Sequence, residues 1–327
     1  MHFHWIALKY FRETVRSKSI RKAAERLHVV PSAVNRQIIN LEKQIGTPLF
    51  DRLPQGMRMT AAGEVFFRHV LTMQGDLERA LSEIDNLRGA RRGHVTIACE
   101  EGLAKELLPK IVASFSTSHA GVTFAVLVED MPSVVARVAE GTADVGITFN
   151  PDRDPRVQRQ AEVSVAIGAV MHPEHPLATR SVLKLAELLN EPLIVPDLGY
   201  SIRQLFDGQF GGEGLGLFRR IAETNSFEAL SALVKAGLGV GLRSRVGIQA
   251  EIARGELTFV PIQDRSFRSE KIAILVRNGR ALPVAAAVLT ERLVDALTSL
   301  ALAAGQTESD DPTPMWPVQT ARRRARP

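Results

Sequence analysis

The sequence predicts an α/β protein with a helical N-terminal domain, one long connecting helix and a larger two-lobed α/β domain. Residues 19–63 contain two short helical patterns followed by a basic hairpin, and residues 64–88 keep one apolar stripe at heptad spacing. Beyond residue 93, short apolar runs alternate with helical patterns, as in α/β domains. A chain of 327 residues is long enough for two or three such domains.

Two helices joined by a tight turn are predicted within residues 19–46. Ser19 suits the N-cap of the first helix, and Pro31 suits the first position of the second, where a missing N–H costs nothing. Gly46 ends the second helix. Apolar residues share one face of the first helix and recur at four, three and four residues along the second: Ala23, Ala24 and Leu27, then Val34, Ile38, Leu41 and Ile45.

A basic hairpin, the wing, follows these helices with a predicted turn at residues 54–57. Together they form a winged helix-turn-helix, in which the second helix enters the DNA major groove with its N-terminal turns. An ordinary helical hairpin with a solvated polar face is the alternative, and the wing argues against it. The predicted DNA contacts (residues 1–63) lie on the exposed helix face and in the wing: Lys22, Pro31, Ser32, Asn35, Arg36, Asn40, Arg52 and Arg58.

Positive charge is concentrated in the same N-terminal domain. Residues 1–60 hold eleven Lys or Arg against four Asp or Glu, a net charge of +7, whereas the whole chain carries +5. The rest of the chain is therefore slightly acidic. A basic domain on a near-neutral body is typical of proteins that bind the phosphates of nucleic acids. We therefore expect double-stranded DNA as a partner.

Residues 64–88 predict a long linker helix that dimerises. A helix with one apolar stripe needs a partner, which is either its own chain or a second copy. A homodimer is preferred, because a two-fold protein places two recognition helices on two half-sites of DNA. The predicted dimerisation seam follows the heptad positions: Val70, Met73, Leu77, Ala80, Ile84 and Leu87.

Residues 89–93 (GARRG) predict a hinge, and residues 94–304 predict two α/β lobes. Strands that alternate with helices favour a parallel, doubly wound sheet. Helices are predicted at residues 103–115 and 181–189, among others. Two crossovers between the lobes would leave a ligand cleft between them. Lobe I takes about residues 94–162 and 267–304, and lobe II takes about residues 163–266.

The cleft candidates follow the ends of predicted strands and the starts of helices, whose free N–H groups attract anions. Glu100 and Glu101 do not suit an anion site, because they are themselves negatively charged. They could receive an amine or a hydroxyl-rich effector, or they could complement the helix dipole while facing water; Arg203 could still hold a carboxylate. The predicted effector contacts are Cys99, Glu100, Glu101, Glu129, Thr148, Phe149, Asn150, Ser201, Arg203, Thr224 and Asn225, with Asp130, Pro196 and Ser226 beside them.

Motifs for catalysis and metal binding do not occur in the sequence. It contains neither HExxH nor GxSxG, and its single cysteine excludes an internal disulfide, which suits the cytoplasm. Cys99 is interpreted as a small buried residue rather than a redox sensor, because the chain has no resolving thiol. No cofactor, metal ion or membrane span is expected. The tail, residues 305–327, is proline-rich with a basic end and is predicted to be disordered.

The stretch from Ile6 to about Arg68 resembles the DNA-binding domain of LysR-type transcriptional regulators, and the resemblance continues more thinly to about residue 300. The resemblance implies a homodimer or homotetramer and an effector domain similar in fold to periplasmic solute-binding proteins. An effector would shift the DNA-binding heads and alter contact with RNA polymerase. Pro31 and Asn35 stand where many members have Gln and Ser. The matching residues are Phe11, Ser19, Ala23, Ala24, Leu27, Ser32, Ala33, Val34, Arg36, Gln37, Ile38, Leu41, Glu42, Gly46, Leu49, Phe50, Arg52, Thr60, Ala62 and Gly63.

Two other functions are compatible with parts of the pattern. A solute-binding or enzymatic α/β protein would use the N-terminal helices only for structure, which the basic wing and the missing export signal argue against. A constitutive, nucleoid-type DNA binder would need no effector, and a closed or filled cleft would favour it. The leading hypothesis is a ligand-responsive DNA-binding regulator in the cytoplasm, without enzymatic activity.

Overall fold

Three helices and a two-stranded hairpin build the N-terminal domain in the computed structural model, which describes residues 5–87, 92–209, 214–264, 267 and 269–303. Phe11 lies at the centre of this domain, where its ring contacts those of Phe50, Phe66 and Phe67 at centroid distances of 5.2, 5.2 and 6.2 Å. The predicted winged helix-turn-helix is confirmed. Its elements are α1 (Trp5–Ser17), α2 (Ile20–Leu27), α3 (Pro31–Ile45), β1 (Phe50–Leu53), β2 (Gly56–Met59) and the start of α4 (Ala61–Leu87).

The ends of α2 and α3 lie where the sequence predicts them. Ser19 Oγ accepts a hydrogen bond from the Lys22 N–H at 3.4 Å, and Gly46 adopts φ +84° at the end of α3. Of the predicted apolar stripe of α3, Val34, Ile38 and Leu41 are buried and Ile45 is half-buried. The helix therefore turns its opposite, polar face to solvent.

The wing is tighter than predicted, because its turn covers residues 54–55 rather than 54–57. Gly56 already pairs with Leu53 as the first residue of β2. Gly56 has φ +135°, and an added Cβ would collide with the Lys18 carbonyl oxygen. The Met57 N–H donates to that same oxygen at 2.9 Å, so the wing is fastened to the turn between α1 and α2.

Helix α4 extends from the N-terminal domain to the larger domain. Its first half belongs to the N-terminal core, where Val70 is 4% exposed. Its second half lies against the larger domain: Thr72 Oγ1 donates to the Glu140 carbonyl oxygen at 2.9 Å, and Asp76 pairs with Arg280. The linker helix therefore contacts both domains of its own chain.

The larger domain is a nine-stranded sheet with helices packed against it. Its first elements are β3 (Arg92–Cys99), α5 (Glu101–Lys105), α6 (Leu107–Ser118), β4 (Gly121–Val128), α7 (Met131–Glu140), β5 (Val145–Phe149) and β6 (Val157–Met171). Then follow β7 (Leu193–Pro196), α8 (Ser201–Gln209), β8 (Arg220–Thr224), α9 (Phe227–Lys235), β9 (Val240–Ser244), α10 (Gln249–Ala253), β10 (Thr258–Pro261), β11 (Ser269–Arg277) and α11 (Val284–Ala303). Among the described residues, lobe II holds one hydrophobic core and lobe I holds two, the larger of which includes Val246 of lobe II.

Strand β6 joins the two lobes. Residues 157–166 pair with β11 of lobe I, and residues 167–171 pair with β9 or β10 of lobe II. The predicted parallel sheet is right for β3, β4 and β5 and for β7, β8 and β9, which pair in parallel within each lobe. It is wrong for β6, β10 and β11, which run antiparallel to their neighbours. The chain crosses from lobe I to lobe II and later returns, so the two crossing strands run in opposite directions.

Two predicted helices differ from the structure. Residues 103–115 form parts of two helices, α5 and α6, because Pro109 lacks an N–H and its ring would clash with the carbonyl of residue 105. Residues 181–189 form no α-helix. They make a bridge between Leu183 and Ile262 and a 3-10 turn at Leu185–Leu188, because the Leu185 N–H donates to the Asp264 carboxylate at 2.7 Å instead.

Part of the predicted hinge belongs to the sheet. Arg92 and Gly93 pair with Gly121 and Val122 as the first residues of β3, so the hinge prediction is wrong for these two. The rest of the hinge, residues 89–91, and the predicted tail, residues 305–327, lie outside the described residues. None of the helices within the described ranges is long and apolar enough to cross a membrane.

Candidate DNA interface and ligand cleft

The N-terminal half of α3 presents a polar, uncapped surface. Ser32, Arg36 and the predicted contacts Pro31 and Asn40 are all exposed. No side chain caps the start of α3, where Val30 is 64% exposed. Pro31 has no N–H and the Ala33 N–H donates to the Val30 carbonyl at 3.0 Å, which leaves the Ser32 N–H without a cap. Such groups attract phosphate oxygens. The predicted contact Lys22 is exposed on α2, and within the described part of the chain neither Lys22 nor Arg36 pairs with a carboxylate.

The wing is tied to α3 by side chains. Arg52 Nη1 donates to Asn35 Oδ1 at 2.9 Å, so two predicted DNA contacts bind each other. Arg58 pairs with Asp51 across the hairpin at 3.1 Å and remains exposed. The sequence prediction did not assign a structural role to Glu42. Its Oε1 accepts hydrogen bonds from the backbone N–H groups of Leu49 and Phe50 at 2.8 and 3.2 Å. Glu42 therefore fixes the wing to the end of α3.

The predicted dimerisation seam is apolar and exposed along the middle of α4. Met73, Leu77 and Ile84 are 50%, 43% and 45% exposed, and Ala80 is exposed as well. Val70 does not belong to this surface, because it is buried in the core of its own N-terminal domain. The side chain of Leu87 lies outside the described residues.

Glu100 is a buried carboxyl at the end of β3, where it is 1% exposed. Its Oε1 accepts hydrogen bonds from Thr148 Oγ1 and from the Phe149 N–H, the latter at 3.1 Å. Burial raises the pKa of Glu100 to about 7, although these two hydrogen bonds act in the opposite direction. One sequence interpretation placed the Glu100 carboxylate in water. That interpretation is wrong, because Glu100 is buried.

A second buried carboxyl, Glu270, lies near the start of β11 and is 4% exposed. Ser201 Oγ donates to its Oε2 at 3.5 Å, and Ser244 also hydrogen bonds to it. Burial raises the pKa of Glu270 to about 8, and the neighbouring Glu100 adds to the shift. The sequence prediction missed Glu270, since nothing in the strand pattern marks it as inward-facing.

Both carboxyls line a small cavity between the lobes, together with the predicted contacts Phe149 and Ser201. Its volume is about 10 Å³, the room that one water molecule needs. The lobes are therefore closed on each other. The remaining lining residues were not predicted: Gly102, Tyr200, Ile202, Phe227, Arg243, Ser244 and Val246.

Arg243 is a buried cation whose hydrogen bonds go to neutral oxygens. Its Nη1 donates to Ser231 Oγ at 2.8 Å and to the Phe227 carbonyl at 3.2 Å, and its Nη2 donates to the Val246 carbonyl at 2.9 Å. The guanidinium lies 4.8 Å from the centroid of the Phe227 ring. Burial lowers the pKa of Arg243 to about 10.

A latch formed by α5 and the following residue, Glu106, joins lobe I to lobe II. Glu101 accepts hydrogen bonds from Ser226 Oγ at 2.9 Å and from the Phe227 and Glu228 N–H groups at 2.6 and 3.4 Å, at the start of α9. Lys105 pairs with Glu228 at 2.6 Å and with Glu251. Glu101 thus complements the dipole of a helix in the other lobe, rather than that of its own helix.

The latch continues at the start of α10. Glu106 accepts hydrogen bonds from the N–H groups of Gln249 and Ala250 at 3.2 and 2.9 Å. Each of these two lobe II helices therefore receives a carboxylate from lobe I at its N-terminus.

Three predicted cleft residues have other roles. Cys99 points into the core of lobe I, where burial raises the pKa of its thiol to about 12. Glu129 binds Arg137 of α7 with both oxygens. Arg203 donates to Asp207 at 2.9 Å and to the Pro196 carbonyl at 3.0 Å, so its guanidinium is not free for a carboxylate.

The other predicted cleft residues shape the loops around the cavity. Asn150, at φ +41°, accepts from the Lys271 N–H at 2.8 Å and donates to Ser201 Oγ at 3.3 Å. Thr224 Oγ1 accepts from the Ser226 N–H at 3.1 Å, which orders the start of α9. Asn225 is exposed, and its carbonyl accepts from the Tyr200 hydroxyl at 2.7 Å.

Two family models match most of the chain. "Bacterial regulatory helix-turn-helix protein, lysR family" matches residues 5–64, and "LysR substrate binding domain" matches residues 88–298. The chain belongs to the LysR family. It is therefore a DNA-binding transcriptional regulator with an effector-binding domain, and not an enzyme. The alternative of a solute-binding or enzymatic protein with purely structural N-terminal helices is wrong.

LysR-type relatives align over most of their length. The RuBisCO operon transcriptional regulator of Allochromatium vinosum is 27% identical over 287 residues, which is 88% of this chain and 94% of that protein. The transcriptional activator protein LysR of Escherichia coli (strain K12) is 28% identical over 235 residues, 72% of this chain and 75% of that protein.

Solved LysR-type structures share the fold. The crystal structure of CbnR, a LysR family transcriptional regulator, has a TM-score of 0.67 at 22% identity, covering 90% of this chain and 99% of CbnR. Full-length CbnR complexed with its target DNA has a TM-score of 0.66 at 23% identity, covering 90% of this chain and all of CbnR. At such identities the structures support the fold alone.

Replacing Glu101 with Ala tests the latch between the lobes. The variant loses three hydrogen bonds that cross the cleft, so we expect the free energy of unfolding to fall by about 1–3 kcal/mol. We also expect a larger radius of gyration by X-ray scattering. Glu174→Ala, at an exposed position of lobe II, is the matched control. Equal stability and scattering of the two variants would show that Glu101 does not hold the lobes together.

The raised pKa of Glu270 predicts a pH dependence of stability. The folded state holds this proton more tightly than the unfolded state, so stability should fall as pH rises from the ordinary pKa of 4.5 towards about 8. Each pKa unit corresponds to about 1.4 kcal/mol, so in Glu270→Gln this loss should be smaller by several kcal/mol. Urea denaturation across this pH range measures the difference. Parallel curves for the wild type and Glu270→Gln would contradict the assignment.

Proposed function

We propose that the protein is a homo-oligomeric regulator that binds operator DNA through α3 and the wing, and that responds to a small effector held between the lobes. The observation that carries this proposal is the exposed, uncapped start of α3 beside unpaired cations, on a chain of the LysR family. Phosphates and base edges suit this surface, because Ser32 and Arg36 reach outward from the first two turns.

The roles of the DNA-facing residues divide in two. Lys22, Ser32, Arg36 and Asn40 are exposed and free to contact DNA. Asn35 and Arg52 are better suited to orient the wing, since they hydrogen bond to each other. Phosphate contacts of the wing would then be made by a hairpin whose position relative to α3 is already fixed, which lowers the entropic cost of binding.

The exposed seam of α4 supports self-association. Met73, Leu77 and Ile84 recur at spacings of four and seven residues, as on one side of a coiled coil. An apolar stripe on a helix is stabilised by burial against a second copy. A dimer would present two recognition helices to two half-sites, and a tetramer would present four.

Effector response would travel through α4. The helix contacts lobe I through Thr72 with Glu140 and through Asp76 with Arg280. Arg68 adds an ion pair with Glu140 at 3.7 Å. A change in lobe orientation would therefore move α4 and, with it, the DNA-binding domain. We further propose that this movement alters contact with RNA polymerase. The protein would act in the cytoplasm, where bacterial DNA is transcribed.

A constitutive DNA binder without an effector is the second candidate. The closed cleft, with a cavity of about 10 Å³, favours it. The two candidates differ in one observable: footprints of the regulator on its operator change when an effector is added, whereas those of a constitutive binder do not. The footprint of the operator, obtained first by pull-down of genomic DNA, provides this test.

Replacing Arg36 with Ala should weaken operator binding by about ten- to a hundredfold, because a base or phosphate contact of an arginine is lost. The side chain is exposed, so the fold should persist. Fluorescence anisotropy with the footprinted operator at fixed salt measures the affinity. Arg254→Ala removes the same charge from lobe II and should bind like the wild type. If both variants bind equally well, Arg36 does not contact the operator.

Replacing Leu77 with Asp should disrupt self-association, because a charge would be placed in the apolar seam. Sedimentation velocity should show a smaller particle at micromolar concentration, with circular dichroism unchanged. Leu189→Asp, at an exposed leucine of lobe II, is the matched substitution and should leave the oligomer intact. An unchanged sedimentation coefficient for Leu77→Asp would place the interface elsewhere.

A further inference from the structure

The cavity between the lobes is lined by two carboxyl groups and by one guanidinium, that of Arg243. Glu100 comes from lobe I and Glu270 from the crossing strand β11, and both line the same space. Neither forms an ion pair within the described part of the chain. The nearest cation, Arg243, uses its guanidinium on Ser231 and on backbone carbonyls instead.

One oxygen of Glu100 is left without a partner. Its Oε1 takes the hydrogen bonds from Thr148 and Phe149, whereas its Oε2 accepts none from the described residues, although the side chain is 1% exposed. Glu270 is held only by the hydroxyls of Ser201 and Ser244. Because Glu100 lines the cavity, its Oε2 is placed to accept a hydrogen bond from a ligand donor.

The same walls oppose an anionic ligand. The helix N-termini that would attract an anion are already occupied, α9 by Glu101 and α10 by Glu106. Lys105 is paired with two glutamates. The pKa of the Tyr200 hydroxyl is raised by burial and then by four nearby carboxyls, Glu101, Glu100, Asp197 and Asp130.

We propose that the cleft recognises its effector through a protonated amine, which donates hydrogen bonds to Glu100 Oε2 and to the Glu270 carboxylate. This inference rests on the proposed function, in which the cleft is the effector site. An ammonium group carries three donors and no acceptor, which matches the Oε2 of Glu100 and the remaining acceptor sites of the Glu270 carboxyl. A cavity of about 10 Å³ accommodates such a head group, and the latch of Glu101, Lys105 and Glu106 must open to admit the rest of the ligand.

The amine would also change the protonation of the site. The pKa of Glu100 is raised to about 7 and that of Glu270 to about 8, so near neutral pH the empty site holds at least part of one proton. A bound ammonium group favours the ionised carboxylates, which lowers both pKa values and releases protons. The groups that face these carboxyls are Thr148, Ser201, Ser244, Asp130 and Arg243.

The experiment is calorimetric titration of the full-length protein with four small probes near neutral pH. Methylamine and putrescine carry amines, whereas succinate and butanediol have the four-carbon length of putrescine with acids or hydroxyls. We expect binding of at least one amine and of neither control. The measured enthalpy should depend on the ionisation enthalpy of the buffer, because protons are released. Failure of both amines to bind at millimolar concentrations overturns the proposal, as does equal binding of succinate or butanediol.

Two variants assign the binding to these carboxyls. Glu100→Gln and Glu270→Gln should each weaken amine binding by about tenfold or more, since each loses a charged acceptor. Glu174→Gln, at an exposed position, should bind amines like the wild type. Unchanged affinity in both cleft variants overturns the proposal even if amines bind. Specific operator footprints without amine binding would remove this inference alone, whereas the loss of specific footprints would remove the proposed function.

Discussion

The closed form of this regulator depends on the short segment of α5 and Glu106, which joins the two lobes where Val246 of lobe II also packs into the lobe I core. Glu101 and Glu106 reach the starts of α9 and α10, and Lys105 lies between the glutamates of those helices. These contacts are charge-assisted hydrogen bonds and ion pairs rather than apolar packing. Such contacts are directional and are exchanged easily for water, so the lobes are held closed without being fused.

The latch also determines the electrostatics of the cleft. Helix N-termini in a two-lobed binding domain are natural sites for anions, yet here the chain supplies the anions itself. What is left inside is an acidic space in which Glu100 and Glu270 are buried together. Burying two carboxyls that form no ion pair destabilises the empty site, and the proposed ligand would lower that cost by bringing positive charge. Closure of the lobes therefore depends on Glu101 and Glu106, whereas the proposed recognition of charge depends on Glu100 and Glu270.

Helix α4 connects this domain to DNA. Its first half contributes Val70 to the winged-helix core, its middle exposes an apolar stripe, and the same helix contacts lobe I through Thr72 and Asp76. One rigid element therefore takes part in the head, in the proposed dimer and in the effector domain. Under the proposed function, a rotation of lobe I would be transmitted to the recognition helices, because the helix has no break between these contacts.

The sequence by itself determined the local elements and the family. Apolar spacing and caps placed α3 and the wing, since those signals lie within a few residues of each other, and the run from Ile6 to Arg68 identified the DNA-binding domain.

Tertiary structure alone decided which polar side chains meet. Residues 181–189, predicted as a helix, form a bridge and a turn instead. The Leu185 N–H donates to the distant Asp264 carboxylate, and Leu183 pairs with Ile262. Glu270 and Arg243 line the cleft but were not predicted, because the sequence pattern of their strands indicates only that they are buried. Conversely, Arg203 and Glu129 were predicted in the cleft, but they bind partners on nearby helices and loops. The sequence pattern located the two crossings near residues 163 and 267, but which side chains pair between the lobes depends on how β6 and β11 place the lobes against each other.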